Sequence, residues 1–291
     1  MTPFSVSLQG VIDLSNYTGS KGGSGVWQRI ISEMPPHATY VEPFLGTGII
    51  LRTKRAADAS IGVDSNPAVI AWWKENHPEA ITICADAISW LKSYKWCAGK
   101  LVYADPPYLF ETRRCQRNAY AQEFSAEDHA VLLRVLLRLP CHVMLSGYRS
   151  ALYDTILAAW RRVDIPTVNR AGKRVTECVW CNFPQPTALH DYRFVGRNRR
   201  ERYWIRCKVH RWLRKLAALP AWERAALFQS INELATAETV SWTGTVELVS
   251  VATASTAKAV ALDGPQERCR PRVSAKTRSG SGGSASGVRA R

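Results

Sequence analysis

Apolar positions in roughly the first 185 residues fall into two alternating kinds of segment, short β-branched runs and longer amphipathic stretches, divided by glycine, proline and acidic residues. The runs Thr39 to Phe44, Ile61 to Val63, Ile81 to Cys84, Leu101 to Ala104 and Cys141 to Leu145 predict strands. Between them, Val26 to Glu33, Ala68 to Glu75, Ala87 to Lys92, the leucine-rich stretch from Ser125 to Arg138, and Ala151 to Trp160 predict helices, and Ile49 to Leu51 can open another. The punctuation agrees: Pro35-Pro36 stops the first helix, Ser65-Asn66-Pro67 suits a helix start, and Ser125 with Asp128 makes a capping-box variant. Arg161 to Val168 and Arg174 to Asn182 supply two further strands. Strands alternating with helices at this spacing define an α/β domain with a mainly parallel sheet and crossover helices.

Ligands of such sheets sit beyond the carboxyl ends of the strands. Four of those ends carry chemistry here: the glycine turn Phe44 to Gly48, Asp64, Asp86, and Asp105-Pro106-Pro107-Tyr108. The last places a carboxylate, two rigid prolines and an aromatic face directly after an apolar strand. That set suits a flat heterocycle held by its exocyclic amine. Tyr108 can stack on the ring, Asp105 can accept one N–H, and the Pro106 carbonyl, fixed in direction by ring-locked backbone, can accept the other. Taken alone, the same four residues also fit a rigid turn with a capping Asp and a packed Tyr.

A length of 291 residues is enough for one large domain with additions, or for two domains. The net charge of +15 is uneven, +4 through residue 189 and +11 from residue 190 onward. Residues 190 to 215 hold ten basic against two acidic side chains, interleaved with Tyr192, Phe194, Tyr203, Trp204 and Trp212, a mixture that binds phosphates and stacks bases. Arg197, Arg199 and Arg200 are its candidate contacts, and the polar segment Glu111 to Gln122 adds Arg113, Arg114 and Arg117. A helical pair, Val209 to Leu219 and Trp222 to Leu234, is broken at Pro220. These features divide the chain into an α/β domain over 1–189, a basic aromatic and helical extension over 190–240, and a low-complexity, disordered basic tail over 241–291.

The eight cysteines are scattered in apolar or strand-like surroundings and read as reduced thiols of a cytosolic protein. Cys178-Val-Trp-Cys181 has no second pair, so no metal site is expected. No apolar run approaches ~18 residues and no basic segment leads an apolar block at the N-terminus, so neither a membrane span nor secretion is expected.

The motifs, in order, are Y-x-G-S-K at Tyr17 to Lys21, V-E-P-F-x-G-x-G at Val41 to Gly48, acidic strand ends at Asp64 and Asp86, then Asp105-Pro-Pro-Tyr108. Over residues 15 to 185 this resembles the Dam-type DNA N6-adenine methyltransferases. The resemblance implies a Rossmann-like methyltransferase fold, S-adenosylmethionine as cofactor, double-stranded DNA as partner, a monomer as one admissible state, and the cytoplasm of a bacterium or phage-infected host. It further implies that Phe44, Gly46 and Gly48 lie against the methionine part of the cofactor, that Asp64 takes the ribose hydroxyls and Asp86 the adenine amine, and that Tyr17 and Lys21 close over the site. Asp105, Pro106 and Tyr108 would hold the amine of a flipped-out adenine, Asp105 touching the cofactor as well. One departure stands out: only 18 residues separate Asp86 from Asp105, where Dam carries a long target-recognition insertion. Recognition then falls to the arginines named above. The short form resembles phage and mobile-element enzymes, which leaves phage defence, restriction-modification and regulation all open as roles. The alternatives are a methyltransferase acting on guanine N2 of ribosomal RNA, and a catalytically silent DNA-binding protein on the same fold.

Overall fold

Alternation at a period of two sends Val41, Val63, Val102, Val143 and Leu145 to one face of a central sheet and Tyr40, Leu101, Tyr103 and Met144 to the other, and all nine are buried. The computed structural model describes residues 25–112, 124–168 and 172–242. The strands are β1 (Thr39–Glu42), β2 (Ala59–Asp64), β3 (Ile81–Cys84), β4 (Lys100–Ala104), β5 (His142–Gly147), β6 (Arg161–Val168) and β7 (Arg174–Cys181). The helices are α1 (Val26–Ile31), α2 (Ile49–Thr53), α3 (Pro67–Asn76), α4 (Ala87–Ser93), α5 (Ala126–Leu136), α6 (Ala151–Ile156), α7 (Arg199–Ala217) and α8 (Ala221–Trp242).

The sheet has the order β3-β2-β1-β4-β5-β7-β6. The first five strands in that order pair in parallel, while β7 runs antiparallel to both β5 and β6. This is a Rossmann-like, doubly wound α/β arrangement with one antiparallel strand inserted before the last position. Leu91 of α4, Leu132, Leu133 and Leu136 of α5, and Tyr153 of α6 pack on one face; Val26, Ile30 and Ile31 of α1 and Ile50 of α2 pack on the other. α3 turns Val69, Ile70 and Trp73 onto Leu45.

The observed boundaries differ from the expected ones where backbone chemistry intervenes. β1 stops at Glu42 because Pro43 has no N–H for the ladder. α7 begins ten residues before Val209 because Asn198 caps it, its Oδ1 accepting the Glu201 N–H at 2.9 Å.

Among the described residues, those up to Arg206 form one compact unit and those from Cys207 another. Residues 190–206 therefore pack with the sheet. His190 donates its N–H to the Met34 carbonyl at 2.9 Å, buried Asp191 accepts the Arg55 N–H at 2.9 Å, and Phe194 meets Trp27 edge-on with centroids 4.9 Å apart. Residues 243–291, which contain nearly all of the expected tail, lie outside the described residues. No described helix is long and apolar enough to cross a membrane, and no group of three or more described His, Cys, Asp or Glu side chains is placed to hold a metal ion. Cys178 and Cys181, the one C-x-x-C pair, are buried in β7, and burial pushes both thiols up to about 12.

Candidate active site

Strand order reverses between β1 and β4, so the crevice beyond their carboxyl ends is the topological switch point of the sheet. The segment Glu42 to Gly48 leaves β1 at that point, and Asp105 to Tyr108 leaves β4 beside it. The two motifs singled out in the sequence are thus neighbours in space.

Period-two alternation puts Tyr40, Glu42, Tyr103, Asp105 and Ser146 on the same side of the sheet, where they form two hydrogen-bonded sets, Tyr40 with Glu42 and Tyr103 with Ser146 and Asp105. Tyr40 donates its hydroxyl to Glu42 Oε2 at 2.9 Å. Ser146, at the end of β5, lies 2.7 Å from Asp105 Oδ1 through its Oγ and 3.0 Å from the Tyr103 hydroxyl. Its hydrogen can serve only one acceptor. The short contact to the carboxylate identifies Ser146 as donor there and Tyr103 as donor to Ser146. Glu42 is 3% exposed, and burial, reinforced by the charge of Asp105, pushes its carboxyl up to about 8. Burial likewise raises the Tyr103 phenol well above its usual range, with Asp105 adding to the effect.

Tyr108 is pinned from two other strands. Its hydroxyl donates to Glu177 Oε2 of β7 at 3.2 Å, and its ring meets Tyr148, just past β5, edge-on at 4.8 Å. The antiparallel register that opposes Gly147 to Cys178 makes Tyr148 and Glu177 cross-strand neighbours. Aromatic and carboxylate thus stand at the end of one rigid sheet, the aromatic half-buried and held side-on.

The glycine turn is held by packing and by hydrogen bonds. Gly48 has a left-handed φ of +52°, and a Cβ there would lie 2.1 Å from Cζ2 of Trp73. The space beside it is occupied by that indole, whose Nε1 donates to the Gly46 carbonyl at 3.0 Å. Gly48 is therefore required by α3 packing, and the α2 that follows has only five residues. Asp64 ties the turn to β2, its Oδ2 accepting the Gly46 N–H at 2.8 Å and its Oδ1 the Asn66 N–H at 2.9 Å. Burial raises its pKa against the effect of those two N–H donors. Phe44 packs edge-on to Phe124 at 5.5 Å. Exposed Asp86 caps α4, Oδ1 accepting the Ser89 N–H at 2.8 Å. A carboxylate has lone pairs to spare, so neither capping Asp86 nor tethering Asp64 exhausts its acceptors.

Of the remaining expected residues, Tyr17, Lys21, Arg113, Arg114 and Arg117 lie outside the described residues. Arg199 and Arg200 open α7, and exposed Arg197 donates through Nε to Glu201 at 3.0 Å. α7 holds eight Lys and Arg against Glu201 alone, with Tyr203, Trp204 and Trp212 exposed. Sequence reasoning missed Ser146, Tyr148, Glu177 and Trp73. Ser146-Gly-Tyr148 follows a predicted strand as directly as the Asp105 motif does, and that signal was there to be read; nothing local distinguishes Glu177 or Trp73.

No family model matches the chain, and no curated protein sequence does. Similar solved structures include the 23S rRNA methyltransferase ErmE at 13% identity, covering 56% of this chain and 68% of that one with a TM-score of 0.38. TrmN from Thermus thermophilus is similar at 18% identity, covering 53% and 46% with a TM-score of 0.37. A dimethyladenosine transferase from Plasmodium falciparum is similar at 13% identity, covering 53% and 58% with a TM-score of 0.35. At that distance function has to be read from the site's own residues.

Proposed function

We propose that the chain is a methyltransferase using S-adenosylmethionine, and more particularly one that methylates the N6 amine of adenine in double-stranded DNA. The observation that carries this reading is Asp105, at the switch point, gripped by Ser146 at 2.7 Å with aromatic Tyr108 two residues beyond Pro106. The residues beside it fit the methyl donor. Asp64 and Asp86, at the ends of β2 and β3, are acceptors suited to a ribose diol and an adenine amine, and Phe44 offers an apolar surface after β1. When bound, S-adenosylmethionine supplies a methyl group on a sulfonium, open to displacement by an amine lone pair.

The chain's own task is orientation. Asp105 and the Pro106 carbonyl accept the two N–H groups of the amine, which turns its lone pair out of their plane, and Tyr108 stacks on the ring. After transfer nitrogen carries one proton too many, and Asp105 is the acceptor nearest to it. Because duplex pairing hides that amine, the target adenine is flipped out, and affinity for the phosphates is left to basic side chains, among them Arg197, Arg199 and Arg200. The short segment between Asp86 and Asp105 leaves sequence choice to the basic segments.

Purified protein given labelled S-adenosylmethionine with unmethylated duplex DNA and, separately, ribosomal RNA should label the DNA. Label on RNA guanine alone would favour the ribosomal alternative. Duplex binding with no transfer to either substrate would favour the silent DNA-binding one.

A further inference from the structure

We propose that Ser146 is a positioning residue of this reaction, its hydroxyl, backed by Tyr103, fixing the plane in which the Asp105 carboxylate meets the amine. The inference rests on the methyltransferase reading and assigns a role to a residue that no motif of the resemblance contains. Ser146 is fully buried, on β5, the strand beside the one that carries Asp105. Pairing of Ala104 with Leu145 brings the two residues level at the strand ends, where Ser146 Oγ lies 2.7 Å from Asp105 Oδ1.

An aspartate that follows the last residue of a strand can rotate about both side-chain torsions, and an acceptor out of plane with the N–H loses most of its hold. Anchoring Oδ1 fixes the carboxylate plane and thereby the direction of its second oxygen. The Tyr103 hydroxyl, 3.0 Å behind Ser146, polarises the donor and stops it from turning to the Ala104 carbonyl, which is 3.4 Å away. Both supporting side chains come from the packed sheet, which holds their rotamers. Among the described residues, the titratable groups that feel the charge of Asp105 include Tyr40 and Glu42 of β1, Tyr103 of β4 and Tyr153 of α6.

The test compares wild type with Ser146→Ala, Ser146→Thr and Tyr103→Phe, reading kcat, KM for duplex DNA, the pH profile, calorimetric binding of S-adenosylhomocysteine and the melting temperature. Ser146→Ala should lower kcat roughly ten- to hundredfold, the scale on which small misplacements act. KM and S-adenosylhomocysteine binding should stay near wild type, and the acid limb of the profile should move to higher pH because the ionised carboxylate loses a donor. Ser146→Thr keeps the hydroxyl and should recover the rate; Tyr103→Phe should show the same changes at smaller amplitude. Wild-type kcat and an unmoved acid limb in Ser146→Ala and Tyr103→Phe would overturn the proposal while leaving the methyltransferase reading intact. A rate loss matched only by a lower melting temperature, with no pH shift, would also overturn it. A wild-type protein that transfers no methyl group to adenine overturns the reading itself, and the positioning role falls with it.

Discussion

Asp105 and Glu42 face one site as two carboxylates in unlike settings, one half-buried with a serine donor and the other sealed beneath it. Asp105→Ala should lower methyl transfer on the order of a thousandfold or more, since it removes an acceptor that aims the nucleophile, while duplex binding changes little. Turnover and a filter-binding assay on the same preparation decide this, and undiminished turnover would refute the role. Glu42 makes a separate claim about pH. Its folded carboxyl is pushed up to about 8 from 4.5, so between those values the folded chain keeps a proton that the unfolded chain has released, and stability falls as pH rises through that window. His37, pushed down to about 3 from 6.5 by burial, acts in the opposite sense, costing stability as pH falls below 6.5, and Lys54, lowered from 10.5 to about 8, acts above 8. From 6.5 to 8, of these three, only Glu42 titrates. Glu42→Gln keeps an oxygen for Tyr40 and cannot ionise, so its melting temperature should drop less than that of wild type across this interval; equal drops would contradict the burial argument. At this scale the sequence displayed Asp105, Pro106 and Tyr108 because they are contiguous and follow a strand. Ser146 and Glu177 escaped because their roles depend on pairing with β4 and β5, which no local pattern encodes.

Between strand and helix, the turn after β1 shows how an element can be legible while its cause is not. The resemblance sets Gly46 and Gly48 against a cofactor, and the structure gives Gly48 a second reason: the space where its Cβ would go is taken by an indole from α3, about one strand and one helix further along the chain. Gly48→Ala would set a methyl group against Trp73 at a φ of +52° and should destabilise the fold by on the order of 2 kcal/mol or more, read from urea unfolding. A change below about 0.5 kcal/mol would mean that the indole moves aside at little cost. Trp73→Phe, which removes the donor to the Gly46 carbonyl, should cost less and loosen the turn. Most strands and helices were readable because their apolar periods are clean and their caps, Asn66, Asp86, Ser125 and Ser150, act locally. The placement of β7 between β5 and β6 was not readable, since a hairpin's order in a sheet is decided by packing with strands distant in sequence.

Along the sequence, charge and acidic strand ends are separated: Asp64, Asp86 and Asp105 lie in the first 189 residues, which carry a net +4, and residues 190–291 carry +11. Affinity for duplex should therefore depend on salt far more than the chemical step does. Arg199→Ala with Arg200→Ala should weaken binding to all sequences alike and reduce the slope of log K against log salt by about one for each phosphate that is no longer neutralised. Removing residues 264–291, which carry a net +6, should lower affinity at low salt and leave turnover at saturating DNA unchanged. A slope untouched by the arginine changes would place DNA elsewhere. The central claim is the transfer of a methyl group to adenine N6, and its most direct test is to incubate unmethylated duplex DNA with the protein and S-adenosylmethionine, digest it, and quantify methylated nucleosides by mass spectrometry. N6-methyldeoxyadenosine is the predicted product with wild type, and none above background is predicted with Asp105→Ala; its absence with wild type, or its undiminished presence with Asp105→Ala, would contradict that claim.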